Sequence, residues 1–417
     1  MLQNRTFLFL IALGILFGAC EGKKQLSEDE IIAKAKAIHK NVITIDTHVD
    51  IPFNFATEEV DPGVRGDWLV DLPKMREGGL DVAFFVVFVG QTKRTPENYE
   101  KAKADAMTKF DAIHRLAEKM YPDQIEIAYT ADDVERIHKS GKLVGAICIE
   151  NGYVIGKDLS LIEKYQKLGA RYITLAHGGH NDISDSSTPR ENLGDVEAEH
   201  NGISEFGEKV IAEMNRVGMM VDVSHISKKA SLDAIKLSKA QVIASHSSTH
   251  ALCPVARNMD DEQLMALKEN GGVIQIVALD GFVKQDSPEK TAAMEKALAE
   301  FGIKSRREFR TLDEATLAKA KEARKAVDGK YPGPTVQDFV NHIDHAVKLI
   351  GIDHVGISSD FDGGGGITGW KDASETLNVT TELVRRGYSE EDIRKLWGAN
   401  TLRVWRDVER VSGEMKK

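Results

Sequence analysis

The chain of 417 residues is long enough for one barrel domain with additional segments, and 42% hydrophobic with 29% charged residues is typical of a soluble globular protein. Its formal net charge of −10 argues against a nucleic-acid partner, because phosphate neutralisation requires clustered lysines and arginines. The cysteines are too few and too scattered for a disulfide framework or a thiolate zinc site: Cys20, Cys148 and Cys253.

The N-terminus is predicted to be a lipoprotein signal peptide covering residues 1–19. Arg5 precedes the apolar run Phe7–Phe17, which is too short to span a bilayer comfortably, and small residues stand directly before Cys20. Cys20 is then the lipidated first residue of an exported bacterial lipoprotein, held to the periplasmic or cell-surface face of a membrane by lipid alone. The alternative is a plain signal peptide with an incidental cysteine.

Residues 20–41 are predicted to form an anchor or linker followed by an N-terminal helix. Ser27 and Glu30 are spaced as a capping box at the start of the helical stretch 27–40. The remaining residues, 42–417, are assigned to one catalytic barrel.

Eight short apolar runs rich in β-branched residues predict eight strands. They are Val42–Asp46, Val82–Val89, Leu143–Glu150, Tyr172–His177, Met219–His225, Val242–His246, Gly272–Leu279 and His354–Asp360. Amphipathic stretches between most of them indicate parallel βαβ units. The simplest fold for eight such units is an α/β fold in which they close into a (β/α)8 TIM barrel. A doubly wound open sheet is the alternative, although its ligands cluster at one switch point and not around a ring.

Two regions lie outside the eight predicted strand–helix units of the barrel. A charge-rich helical insertion at about 281–334 follows the seventh predicted strand and reads as two helices. It either caps the active site or is a solvent-exposed helical addition to the barrel. Residues 372–417 are predicted to be helical, with three tryptophans packing on the barrel wall: Trp370, Trp397 and Trp405.

Side chains of the types that bind metal ions, histidines and carboxylates, lie at the C-terminal ends of six of the apolar runs. They are His48, Asp50, Glu150, His177, His225, His246 and Asp360. An α/β barrel builds its active site from these ends, so residues distant in sequence converge there. Several histidines and carboxylates at one point predict a hydrolytic, binuclear metal site.

Each of these residues also has a plainer interpretation. His48 and Asp50 share one face of a strand, although such a pair also occurs at an ordinary strand end. Glu150 closes an apolar strand, where a buried carboxylate is costly unless it forms a salt bridge or binds a cation. His225 and His246 end consecutive strands and indicate a second metal position. Asp360 suits a general base.

Seven motifs together resemble the membrane (renal) dipeptidases, zinc-dependent enzymes with an amidohydrolase-type barrel. In order along residues 42 to 405 they are Ile45–Pro52, Ile149–Gly152, Leu175–His177, Asp222–His225, Ser245–Ser248, Arg257–Asn258 and Ser359–Gly363. The resemblance implies two Zn²⁺ ions per chain. It implies that His48 and Asp50 bind one ion, that His225 and His246 bind the other, and that Glu150 bridges both.

The resemblance also implies the remaining roles. His177 stabilises the oxyanion, Arg257 binds the substrate's terminal carboxylate, and Asp360 shuttles the proton, so all three contact substrate. The expected activity is hydrolysis of dipeptides with a free C-terminal carboxylate, including D-residues on that side, by metal-activated water. Other binuclear activities, such as a lactonase or deaminase, and a non-enzymatic peptide-binding lipoprotein remain alternatives. The expected partner is a small peptide; a homodimer is left open.

Overall fold

The computed structural model describes residues 26–303 and 313–417. Within them, parallel strands form one sheet: β1 (Ile45–Asp50), β2 (Val82–Phe88), β3 (Ile125–Ile127), β4 (Leu143–Glu150), β5 (Ala170–Thr174), β6 (Met220–Asp222), β7 (Ile243–Ser247), β8 (Val273–Val277) and β9 (Val355–Ser358). The helices are α1 (Glu28–Asn41), α2 (Leu72–Gly78), α3 (Pro96–Arg115), α4 (Ala131–Lys139), α5 (Ser160–Lys167), α6 (Glu205–Val217), α7 (Lys228–Leu237), α8 (Asp261–Asn270), α9 (Asp280–Val283), α10 (Pro288–Ala299), α11 (Glu314–Lys330), α12 (Val336–Ile350), α13 (Leu377–Arg385), α14 (Glu390–Arg394) and α15 (Asn400–Met415).

The predicted (β/α)8 barrel is confirmed. Eight strands follow one another in the order β1-β2-β4-β5-β6-β7-β8-β9, and every pair is parallel. The ring closes where the chain leaves β9, because the amide of Asp50 donates to the carbonyl of Phe361 at 2.9 Å. The capping box that opens α1 is also present, with Ser27 and Glu30 bonding reciprocally.

The strand boundaries differ from the sequence prediction at the catalytic end. His48 and Asp50 lie inside β1 and not beyond it, since this strand continues to its contact with Phe361. β6 stops at Asp222, three residues before His225, and His225 itself has a left-handed φ of 67°, which lies outside the strand region. β3 was not predicted; it pairs with the first residues of β4 outside the eight-strand ring.

Each strand alternates between an inner and an outer face, as the two-residue period requires. In β2, Phe85 packs in the outer cluster that includes Phe110 of α3, whereas Phe84 belongs to the inner cluster. The interior contains apolar side chains from successive strands, among them Val144, Tyr172 and Ile243. The interior of the barrel is therefore a packed core.

Helix α15 closes the opposite, N-terminal end of the barrel. Arg403 donates to the carbonyls of Gly271 and Asp353, which stand just before β8 and β9. Trp405 of the same helix is 1% exposed, and its ring centroid lies 5.8 Å from that of the interior residue Phe84. Trp405 thus plugs the base of the barrel, while Trp370 and Trp397 are buried against each other at a centroid distance of 6.1 Å.

The insertion after β8 contains the two predicted helices, α10 and α11. Lys290 of α10 is buried and pairs with Asp286 at 2.8 Å and with Asp328 of α11 at 3.4 Å. The stretch 304–312 and the predicted signal peptide with Cys20 lie outside the described residues. In the part of the chain that the structure covers, no helix combines the length and apolarity needed to cross a bilayer.

We expect the Trp405→Ala variant to lose about 3–5 kcal/mol of unfolding free energy, because a large buried ring is removed from a packed core. Chemical denaturation followed by circular dichroism measures this loss. Met415→Ala, at a position of the same helix that is 39% exposed, is the control and should change stability by less than about 0.5 kcal/mol. Equal effects of the two substitutions would contradict the plug.

Candidate metal centre

A cavity of about 650 Å³ opens at the C-terminal ends of the strands. Seven of the eight predicted site residues line it: Asp50, Glu150, His177, His225, His246, Arg257 and Asp360. The eighth, His48, is fully buried beside them, with its Nε2 3.8 Å from Oε2 of Glu150. The structure therefore brings all eight residues to one place.

Glu150 stands at the centre of the cluster. Its Oε2 faces His48, while its Oε1 faces His225 at 2.9 Å and His246 at 3.3 Å. The two oxygens of one carboxylate are thus turned towards two different sets of nitrogen atoms. This arrangement would allow one carboxylate to contact two cations.

The backbone is held in left-handed conformations at the rim of the site. His225 has a φ of 67°, Asp360 a φ of 58° and Asn151, directly after Glu150, a φ of 79°. Such conformations cost roughly 1–3 kcal/mol each for a non-glycine residue and persist only where the surroundings enforce them. Here they turn side chains at the strand ends towards the cavity.

Hydrogen bonds on the far side of His48 fix its tautomer. The hydroxyl of Tyr172 donates to the carbonyl of Thr47 at 2.8 Å, so it accepts from Nδ1 of His48 at 2.9 Å. In the neutral ring, which is the form that binds metal ions, Nε2 of His48 then carries the lone pair. This atom is buried and has no hydrogen-bond partner among the described residues, so it fits the role of a metal ligand.

An equivalent arrangement orients His246. Ser245 donates its hydroxyl to Asp222 at 2.6 Å and accepts from Nδ1 of His246 at 2.8 Å. The lone pair on Nε2 of His246 consequently points at the cavity, only 2.7 Å from Nε2 of His225. Asp222 also accepts from the amides of Ser224 and Ser245, and its bonds to Ser245 tie β6 to β7 beneath the site.

The buried carboxylates of the site repel one another. Burial raises the pKa of Glu150 and of Asp360, and each is raised further by the Asp50 carboxylate. Burial alone would lower the pKa of His48, yet the carboxylates of Glu150 and Asp50 outweigh it and raise that pKa to about 9. Bound cations would relieve this repulsion directly.

The other imidazoles are neutral. Burial, reinforced by the nearby Arg257, holds the pKa of His225 and of His246 well below the ordinary value. Burial and then Arg190 lower the pKa of His177 to about 3. Neutral imidazoles are the form that binds metal ions.

These residues fit a metal centre. Within the described chain, three overlapping groups have ligand atoms within 4.8 Å of one another: His48–Glu150–His246, Glu150–His177–His225 and His48–Asp50–Asp360. All the donor atoms are nitrogen or oxygen, which suits zinc and equally manganese or cobalt. Two of the groups include His177 or Asp360, which the resemblance assigned to catalysis and not to metal binding.

The cavity wall also includes residues with no role predicted from the sequence. Arg190 lines the cavity from the long loop after β5, where no strand end marks it. Gly363, the last residue of the motif Ser359–Gly363, lines it as well, and a Cβ there would stand 2.3 Å from Oδ2 of Asp50 and 2.5 Å from Oδ1 of Asp360. Glycine is therefore required by the two carboxylates beside it.

A parallel (β/α)8 barrel with this cluster at the C-terminal ends of its strands defines a barrel metalloenzyme. The family model described as membrane dipeptidase (peptidase family M19) matches residues 32–417. The chain therefore belongs to the M19 family and is a metallo-dipeptidase.

Several known proteins are similar to this chain. Dipeptidase tcpJ of Claviceps purpurea is 34% identical over 352 residues, which cover 83% of this chain and 71% of that protein. The probable dipeptidase PvdM from Pseudomonas aeruginosa has a crystal structure with a TM-score of 0.82 and 32% identity, covering 92% of this chain and 99% of its own. A metallo peptidase from Rhodobacter sphaeroides, liganded with a phosphinate mimic of L-Ala-D-Ala, shares the fold with a TM-score of 0.69 and 22% identity over 88% of this chain and 99% of its own.

We expect Tyr172→Phe to weaken metal binding about 10–100-fold, because Nδ1 of His48 loses the acceptor that sets its tautomer. Zinc retained after dialysis against a graded chelator, measured by atomic absorption, reports this change without any activity assay. Tyr165→Phe is the control, since that buried hydroxyl bonds to Val154 away from the site. Unchanged zinc retention in Tyr172→Phe would show that the hydroxyl does not position His48.

Proposed function

We propose that this metallo-dipeptidase binds two zinc ions and cleaves dipeptides with a free C-terminal carboxylate, including those that end in a D-residue. The observation that carries the proposal is a buried guanidinium, Arg257, in the same cavity as the cluster of imidazoles and carboxylates. A buried cation beside hydrolytic groups in one cavity suits a short substrate with a free carboxylate.

His48 and Asp50 would hold one ion, and His225 and His246 would hold the other. Glu150 would contact both ions. The opposed oxygens of Glu150 and the lone pairs on His48 and His246 support this division. Bound cations polarise the scissile carbonyl and make water acidic enough to attack at neutral pH.

Arg257 is suited to bind the terminal carboxylate. It donates to Ser247 Oγ at 2.8 Å and to the carbonyl of His246 at 2.7 Å, which fixes the orientation of its planar group. Its Nε is buried without a partner among the described residues. Burial lowers the pKa of Arg257 to about 10, so it stays charged at neutral pH and a carboxylate would meet a desolvated cation.

Asp360 and His177 are suited to proton transfer and charge stabilisation. Burial raises the pKa of Asp360, so this carboxylate is a stronger base than an exposed aspartate and can take a proton from water and return it to the leaving amine. His177 is neutral, and Nε2 lies 3.6 Å from Oε1 of Glu150 at the centre of the cluster. A neutral imidazole there can donate its N–H to the developing oxyanion.

Acceptance of a C-terminal D-residue is supported by the Rhodobacter sphaeroides structure, whose ligand mimics L-Ala-D-Ala. A lactonase or deaminase of the same architecture would keep the metal ligands without depending on Arg257. Hydrolysis that requires a free carboxylate separates these activities from a dipeptidase.

We expect the Asp360→Asn variant to keep its zinc and its fold but to lose about 10²–10⁴-fold in turnover, because the amide cannot accept the proton. The measurement is hydrolysis of L-Ala-L-Ala and L-Ala-D-Ala by zinc-loaded residues 21–417, with metal content determined in parallel. Asp353→Asn, a change at a surface ion pair with Lys395, is the control and should leave turnover unchanged.

A blocked dipeptide, N-acetylated and C-amidated, should not be cleaved by the wild-type enzyme. Loss of zinc from Asp360→Asn would refute its role as a base, and cleavage of the blocked substrate would refute recognition by Arg257.

We propose further that residues 1–19 direct export and that lipid on Cys20 anchors the enzyme to the membrane. The short apolar run followed by small residues and a cysteine supports this proposal. Cys20→Ser should then shift the enzyme from the membrane fraction to the soluble fraction of the producing cells; an unchanged distribution would contradict the anchor.

A further inference from the structure

A second cavity of about 460 Å³ adjoins the metal centre on the side of β1 and β2. Four residues line both cavities: Asp50, Phe88, Gly90 and Asp362. The ring of Phe88 lies 4.8 Å from that of His177, so it forms a wall common to the two spaces. The side cavity is thus a branch of the active-site cavity.

Aromatic rings form much of the wall of this side cavity. Phe53, Trp68, Phe88 and Tyr153 all line it. Phe53 is 51% exposed and Trp68 38% exposed, although large apolar side chains are normally covered in a folded protein. Phe53 and Trp68 thus leave apolar surface accessible beside the buried rings of this cavity.

Charges of both signs flank the rings. The ammonium of Lys109 is buried, donates to the carbonyl of Ile51 at 2.7 Å and lies 5.1 Å from the ring centroid of Phe53. Asp50 and Asp362 also line this cavity and supply carboxylates. An uncharged aromatic ring that entered the side cavity would meet the faces and edges of other rings. A charged side chain would have to give up its hydration beside those rings.

The position of Arg257 determines which part of a dipeptide reaches this space. Arg257 is bonded to residues of β7, and β2 lies four strands away around the eight-strand ring, on the opposite side. With the terminal carboxylate at Arg257 and the scissile carbonyl at the central cluster, the N-terminal residue extends towards β1 and β2. Its side chain then faces the opening beside Phe88.

We infer that the side cavity selects dipeptides whose N-terminal residue carries a large, uncharged, aromatic side chain. The inference rests on the proposed function, because it takes the carboxylate to be bound at Arg257. It adds a substrate class that the metal centre alone does not determine.

A panel of dipeptides tests the inference on the zinc-loaded enzyme. We expect kcat/KM for Phe-Ala to exceed that for Ala-Ala by about tenfold or more, because an added apolar group in a fitted pocket is worth at least this factor. Lys-Ala and Glu-Ala should be poorer than Phe-Ala. Ala-Phe should not show the same gain, since its ring lies on the Arg257 side.

A variant that fills the cavity gives an independent test. Ala102 on α3 lines the side cavity, whereas Ala104 on the same helix is exposed to solvent. Ala102→Leu should lower the ratio of Phe-Ala to Ala-Ala turnover about tenfold, and Ala104→Leu should leave that ratio unchanged. Should Ala102→Leu fail to fold, the wild-type panel still decides.

The outcomes separate the two claims. Hydrolysis of all dipeptides without preference for an N-terminal aromatic residue would overturn this inference and leave the proposed function standing. No hydrolysis of any dipeptide by folded, zinc-loaded enzyme would overturn the proposed function and this inference with it.

Discussion

Negative charge buried at the mouth of the barrel is the constraint on which the rest of the structure depends. Asp50, Glu150 and Asp360 converge there, and burial raises the pKa of the latter two. Burial disfavours the charged forms of these carboxyl groups, and cations bound among them would favour those forms. Metal binding would therefore stabilise the fold as well as supply reactivity, with the neutral imidazoles around Glu150 as further candidate ligands.

A column of side chains in contact inside the barrel connects its N-terminal base with the cluster at its C-terminal end. Trp405 packs on Phe84, Phe84 stacks on Tyr172 at a centroid distance of 5.9 Å, and Tyr172 bonds to His48. Beside this column, Asp46 accepts hydrogen bonds from the amides of His48 and Ser359 and so joins β1 to β9. The residues that shape the site are thus also those that close and fill the barrel.

Most of the site could be predicted because metal chemistry needs imidazoles and carboxylates at strand ends, and long apolar runs mark those ends. Tertiary features could not be predicted in this way. β3 has only three residues, too few to show a period, and the left-handed turn at His225 depends on its surroundings. Lys109 is one of three lysines on the amphipathic helix α3, yet it is buried near Asp50.

The most direct test is anomalous diffraction from crystals of the zinc-loaded protein. We predict two ions, one held by His48 and Asp50 and one by His225 and His246, with one oxygen of Glu150 on each. A single ion, or two ions that do not share Glu150, would contradict it.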